Sequence, residues 1–187
     1  MLNDMIRLVL SEYEEYYQRV HGLKTDFSGI AIPVADDVQF PWFVCRPEKF
    51  FAERVFEQLY SKQKYTRGSL DDILDMNFGR DGKQESYIIR LHGNWEADEN
   101  LKNLSAIQIT EKHIKTACLV ERLILGDFLF WKFRKDLDIE NITLCSNSRY
   151  RDGGVPSVEQ KNTSVYVDYC FPEVARYHLR AREVVSC

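Results

Sequence analysis

The sequence predicts an α+β protein, with helices mostly N-terminal and in the middle and a small antiparallel sheet with loops at the C-terminal end. Three observations predict it. Apolar residues recur at three- and four-residue steps through residues 2–20 and again through residues 110–135. After Asp136 the pattern shortens to short β-branched stretches at residues 141–145, 155–158, 165–169 and 182–186. The 187 residues are 44% hydrophobic and 29% charged, enough apolar material for a real core. The length suits a single domain, 1–187. Within it, residues 1–95 read as an N-terminal α/β portion, 96–140 as a connector with a long helix, and 141–187 as a β segment.

The elements follow in order. Leu2, Met5, Ile6, Val9, Tyr13, Tyr16, Tyr17 and Val20 form the apolar face of a first helix, which His21-Gly22 ends. FPWFVC (residues 40–45) reads as a buried strand with Pro41 at its start, where a missing N–H is tolerated. Pro47-Glu48 opens a helix predicted to reach about residue 62, with Phe51, Val55, Phe56, Leu59 and Tyr60 inward. Ser69 followed by Asp72 resembles a capping signal for a short helix to Met76, and Gly79, Asp81 and Gly82 mark a turn. SYIIRLH (residues 86–92) is a second strand. Thr110 is read as the cap of the long helix, whose apolar set (Ile114, Ala117, Cys118, Val120, Ile124, Phe128, Trp131) covers more than one face and predicts burial on two sides. Gly153-Gly154 and residues 162–164 supply turns in the β segment.

Composition narrows the partners. The net charge is −4 and no Lys/Arg tract occurs, so a phosphate-tracking surface is not advertised. No signal peptide is expected at the N-terminus, and the most apolar stretch, residues 117–133, carries Glu121, Arg122, Asp127 and Lys132, too many charges to span a bilayer. The five cysteines are odd in number and form no CxxC pair, so they read as reduced thiols, Cys45, Cys118 and Cys145 as small core hydrophobes and Cys170 and Cys187 as exposed. A cytoplasmic protein is expected.

Chemistry is sparse. No phosphate-binding, dinucleotide, zinc-protease or nucleophile-elbow motif is present. Among His21, His92, His113 and His178, no two stand at metal-ligand spacing. His92 is open to two readings, a general base with Glu96 or Asp98, or a polar strand end; the second is preferred. Asp136, Asp138 and Glu140 lack the glycine and closing Glu of a calcium loop and read as a solvated strand edge. Ser148 and Cys145 have no base beside them. Trp42 and Trp131 are assigned to the core, and Trp95 stays ambiguous. Catalytic residues, metal ligands and cofactors are therefore not expected.

The last segment is organised differently. Leu144, Val155, Val158, Val165, Val167, Leu179 and Val184 are regularly spaced apolar anchors. Between them stand Tyr150, Asp152, Ser157, Asp168, Cys170, Phe171, Arg176, Tyr177 and His178, side chains of mixed type. A stiff frame carrying a miscellany is what a paratope-like surface requires, and these nine are the candidate ligand-binding residues.

LCSNSRYRDGGVP (residues 144–156), V-x-V-x-Y-x-x-P (165–172) and A-x-x-x-LRAR (175–182) carry a resemblance, with LDIENITLC (137–145) and EADENLKNLSA (96–106) upstream. The segment resembles the variable region of proteins diversified by diversity-generating retroelements, of the archaeal, viral and uncultivated-bacterial type. The likeness is close from about residue 96 onward and loose before it. It implies a C-type lectin-like fold; sugar or calcium binding is not implied. It also implies that a reverse transcriptase copies a template in which adenines are mutated, turning Asn codons into a set that includes Tyr, Ser, Asp, Gly, His, Arg, Cys, Phe, Val and Thr but not Glu, Gln, Lys, Trp or Met. All nine candidates fall inside that set, whereas Glu159, Gln160 and Lys161 fall outside it and should be fixed.

The function implied is display of a diversified binding surface, with a macromolecular target, a protein, as partner and neither a membrane nor nucleic acid. Two alternatives stand beside it. One is an enzyme of unrecognised family using His92 with Asp98 or Glu99, which would need a deep pocket with convergent ionisable groups. The other is a mobile-element or viral accessory protein binding nucleic acid through Arg176, Arg180 and Arg182.

Overall fold

The computed structural model describes residues 2–59 and 63–187. Its described residues form an α+β architecture of five α-helices and two sheets. Helix α1 (Leu2–His21) packs on strand β1 (Trp42–Arg46) and on the central helix α5 (Leu119–Phe133). Between them lie α2 (Ala52–Glu57), β2 (Gln63–Tyr65), α3 (Leu70–Ile73), β3 (Tyr87–Leu91), a 3-10 turn (Glu99–Leu101) and α4 (Ala106–Glu111). The chain then supplies β4 (Ile142–Leu144), β5 (Val155–Lys161), β6 (Ser164–Cys170), β7 (Leu179–Arg180) and β8 (Val184–Ser186). No helix among the described residues is long and apolar enough to cross a membrane.

The late strands do not form one small antiparallel sheet, as the sequence suggested. Strand β8 leaves its neighbours and pairs antiparallel with β3, completing a three-stranded sheet ordered β1-β3-β8. The other four late strands recruit β2 from the N-terminal half into a mixed five-stranded sheet ordered β2-β6-β5-β4-β7, in which the β2–β6 and β4–β7 pairs are parallel. Period-two patterning says that a segment is a strand but not which distant strand it joins. One face of this sheet packs Val158 and Val167 into the main core around α5, while Val155 and Leu144 on the other face join a second cluster with Ile109 of α4 and Leu179.

Strand β1 lies at a sheet edge, where unpaired carbonyls invite association. Helix α1 covers it. Tyr13 and Tyr17 donate their hydroxyls to the carbonyls of Phe43 and Cys45, each at 2.7 Å. The match is geometric, since four residues of helix advance about 6 Å and two residues of strand about 6.7 Å. Tyr13 also stacks on Phe128 of α5 at 3.8 Å between centroids.

The predicted long helix is two helices. Helix α4 starts one turn earlier than expected, at a capping box in which Gln108 N–H donates to Ser105 Oγ and Ser105 N–H to Gln108 Oε1. His113 then takes φ 55°, and residues 115–117 run extended to pair with the last strand, Val184 N–H donating to Lys115 O and Ala117 N–H to Arg182 O. Helix α5 begins afresh at Cys118. Its first amides are met by the carboxylates of Glu121 and Asp81 and by Ser148 Oγ, at 2.7–3.0 Å. Asp81 and Ser148 come from distant segments, whereas Glu121 is the third residue of the helix itself and closes a capping box on Cys118.

Two shorter expectations also change. Helix α2 starts only at Ala52, because Lys49 turns through φ 50° and Phe50 is buried ahead of it; residues 60–62 of that expectation lie outside the described residues. Ser69 precedes α3 without a side-chain bond to it, and the carboxylate of Glu53 accepts the Leu70 N–H instead.

Candidate binding face

Seven anchors fix the β segment, and all of Leu144, Val155, Val158, Val165, Val167, Leu179 and Val184 are buried. A charged lock beneath them is less expected. Asp138, wholly buried, receives Arg122 Nε at 2.8 Å and Arg182 Nη2 at 2.5 Å, with Thr143 Oγ1 donating to the same carboxylate. Arg182 also donates to the carbonyls of Asn94 and Trp95, at 2.9 and 3.1 Å. Burial raises the Asp138 carboxyl, but Arg182 and Arg122 outweigh it and hold the group below the usual carboxylate range. The acid cluster at residues 136–140 is thus no solvated strand edge at Asp138. The lock ties α5, the turn after β3 and the stretch entering β8 to one point.

Eight of the nine candidate residues come together on two neighbouring grooves at the Val155–Cys170 end of the β5–β6 hairpin. The first groove, about 300 Å³, contains Tyr150 and Asp152. The second, about 230 Å³, contains Ser157, Asp168, Cys170, Phe171, Arg176 and His178. Tyr169 lines both. Ser157 stands directly across the ladder from Asp168, so strand pleating puts them on one face with Cys170. The ninth candidate, Tyr177, is 73% exposed and meets His178 edge-on at 5.1 Å.

The candidates are not uniformly on display. Phe171 is 59% exposed, and Asp152, Asp168 and Arg176 are exposed too. Tyr150 and Ser157 are buried, at 5% and 7%, where free display was expected. Tyr150 bridges to Leu74, donates its hydroxyl to Asp168 O at 3.2 Å and lies parallel to Tyr169 with 5.7 Å between centroids. Burial pushes its phenol well up. Cys170 is half-buried, and its thiol is raised by that burial against the opposing pull of Arg176.

Sequence reasoning missed the groove's other wall. Arg67, Asp72 and Ile73 come from the N-terminal half, and Arg151 from the turn before β5. The parallel pairing of β2 with β6 brings them there, a contact across a hundred residues with no local signal. Tyr169 did carry one. A Cβ on Gly154 would lie 1.9 Å from the Tyr169 ring, so the second glycine of Gly153-Gly154 makes room for it.

The alternative sites come apart or become structural. His92 Nδ1 does lie 3.1 Å from Asp98 Oδ2, and its ring stacks on Phe40 at 4.3 Å. The same Asp98 oxygen accepts the Glu183 N–H at 2.6 Å, so this carboxylate holds the chain entering β8. Glu99 is committed elsewhere, to Arg180 at 2.6 Å and Lys102 at 3.0 Å. The basic trio dissolves too, because Arg182 is buried in the lock and Arg180 is paired, leaving Arg176 exposed. Cys45, Cys118 and Cys145 are buried, Trp42 and Trp131 pack partly buried on the core, and Trp95 joins them against Trp42 at 5.5 Å. Among the described residues, no three His, Cys, Asp or Glu side chains gather to hold a metal ion.

No protein-family model matches this chain, nor does any curated protein or solved structure.

Proposed function

We propose that this chain is a ligand-binding protein that presents a diversified C-terminal face, generated by retroelement mutagenesis, to a macromolecular target, on a C-type lectin-like frame. One observation carries the proposal. Side chains inside the set reachable by adenine mutagenesis converge on two adjoining grooves, whereas Glu159, Gln160 and Lys161, outside that set, sit at the opposite, turn end of the same hairpin.

The frame supports the same reading. Display needs loops whose side chains change while the backbone stays. Here the backbone is held by ladder hydrogen bonds, by buried apolar anchors and by the Arg122–Asp138–Arg182 lock, none of which uses the strongly exposed candidates. Exposed Phe171, Arg176 and Tyr177 supply large contact area at the rim, and the Tyr150–Tyr169 pair a rigid aromatic wall. The target class that suits such a face is a protein surface, and the cytoplasm is the compartment that suits its free thiols.

The test is comparison of the last part of the coding sequence with the DNA around it. The proposal expects a near-copy differing mainly where it carries adenine, beside a reverse-transcriptase gene, with mismatches at the codons of exposed groove residues. A neighbourhood with neither feature overturns it. So does a near-copy whose mismatches fall on the buried anchors.

A further inference from the structure

Among the described residues, Arg67 is the cation that the N-terminal half puts onto the proposed face. Its Nε and Nη2 both donate to Asp168 Oδ1, at 3.2 and 3.1 Å, and its guanidinium lies over the Tyr169 ring, 5.0 Å from the centroid. The two side chains are 60% and 65% exposed, so the pair is open to exchange with solvent. An exposed ion pair is worth little, and an external carboxylate can replace an internal one at small cost. The aromatic face beneath Arg67 meanwhile holds the guanidinium in place whichever acid it meets.

Charge around the second groove points the same way. Asp168 and Arg176 are the charged residues lining it, with His178, Cys170 and Tyr169 the other titratable groups. Asp168 therefore cancels a positive site that its neighbours create. Arg67 itself lines the first groove, where Arg151 and the acids Asp72 and Asp152 also stand; Asp152 already accepts the Gly154 N–H at 3.0 Å, while the Arg67 fork is turned to Asp168.

We infer that Arg67 is a fixed anion-recognition residue of this face, that Asp168 occupies it as an internal stand-in, and that a neutral residue at position 168 opens it to an Asp or Glu side chain of a protein target. The inference rests on the reading of this face as a binding surface and adds its chemistry. Position 168 then sets specificity, selecting against acids when it is Asp and for them when it is neutral, through a partner about a hundred residues away that does not itself change.

The experiment is selection of displayed random peptides on the intact protein and on Asp168→Ser, each also with Arg67→Gln. Thermal melts establish that all four fold. Peptides selected on Asp168→Ser are expected to be enriched in Asp and Glu relative to those selected on the parent. Their affinity should fall about fivefold on adding Arg67→Gln, as for a partly exposed ion pair, and the fall should shrink with added salt. Binders that depend on Phe171 and Tyr177 but show no acid enrichment, or none sensitive to Arg67→Gln, overturn the inference and leave the binding face standing. Binders indifferent to Phe171→Ser and Tyr177→Ser overturn the binding face itself. Enriched acids on binders that also lose affinity with Arg176→Gln but not Arg67→Gln assign the role to Arg176 and overturn it for Arg67.

Discussion

Replacing Asp138 tests the lock on which the face depends. The carboxylate is wholly buried between Arg122 and Arg182, whose side chains are 5% and 1% exposed. Removing it leaves two buried guanidinium groups without a counter-charge, a change that costs about 3–5 kcal/mol. Asp138→Asn is the cleaner variant, because Asp138 sits at φ 55°, where Asn is tolerated and Ala is strained. Against a typical total stability of about 5–15 kcal/mol, the loss is a large fraction. With a urea slope of about 2 kcal/mol/M, the midpoint should fall by about 1.5–2.5 M. The pH dependence has a definite sign. Burial raises this carboxyl but Arg182 and Arg122 hold it below its unfolded value, so its contribution is fully present above about pH 4 and fades as pH drops through the folded value. Urea melts followed by circular dichroism should therefore show a wide gap between parent and Asp138→Asn at pH 7 that narrows below about pH 4. Adding Arg122→Met and Arg182→Met to Asp138→Asn should recover much of the loss, since no charge is then stranded. A pH 7 gap under about 0.5 kcal/mol, or one that ignores pH, refutes the lock.

Four further outcomes follow from the same contacts. Tyr177→Ser and Phe171→Ser, at exposed positions, should each change stability by less than about 0.5 kcal/mol, whereas Tyr150→Ser should cost roughly 2–4 kcal/mol in the same melts, because its ring is buried against Tyr169. Gly154→Ala should cost about 1–3 kcal/mol and shift the Tyr169 ring resonances, since the new methyl lands on that ring. Tyr13→Phe and Tyr17→Phe should each cost about 1 kcal/mol by stranding a β1 carbonyl, and the pair together should raise aggregation measured by light scattering. A thiol-specific disulfide reagent should label exposed Cys187 first and half-buried Cys170 more slowly; Cys45, Cys118 and Cys145, buried and with their thiols raised by that burial, should react only on unfolding.

Several features of the face were legible in one dimension because they are local. Apolar alternation in VYVDY marked β6 and put Asp168 on the face opposite Val165 and Val167. Gly153-Gly154 marked the turn, and the anchors could be picked out as apolar residues among polar ones. The candidate residues could be named for the same reason, although their exposure could not. Tyr150 looked like a display residue and is wedged under β6, because its backbone bridges to Leu74, more than seventy residues away in the chain.

The sequence by itself determined the class of the protein, the first helix, strands β1 and β3 and the two-residue rhythm of the tail, since each depends on side chains a few residues apart. Tertiary structure alone decided the break between α4 and α5, where β8 competes for the backbone of residues 115–117 and wins their hydrogen bonds. It alone decided that Asp138 is a buried counter-ion for two arginines that precede and follow it by 16 and 44 residues. And it alone placed Arg67 on Asp168, because strand pairing brings together residues that share no local pattern and whose charges matter only at the few ångströms that folding creates.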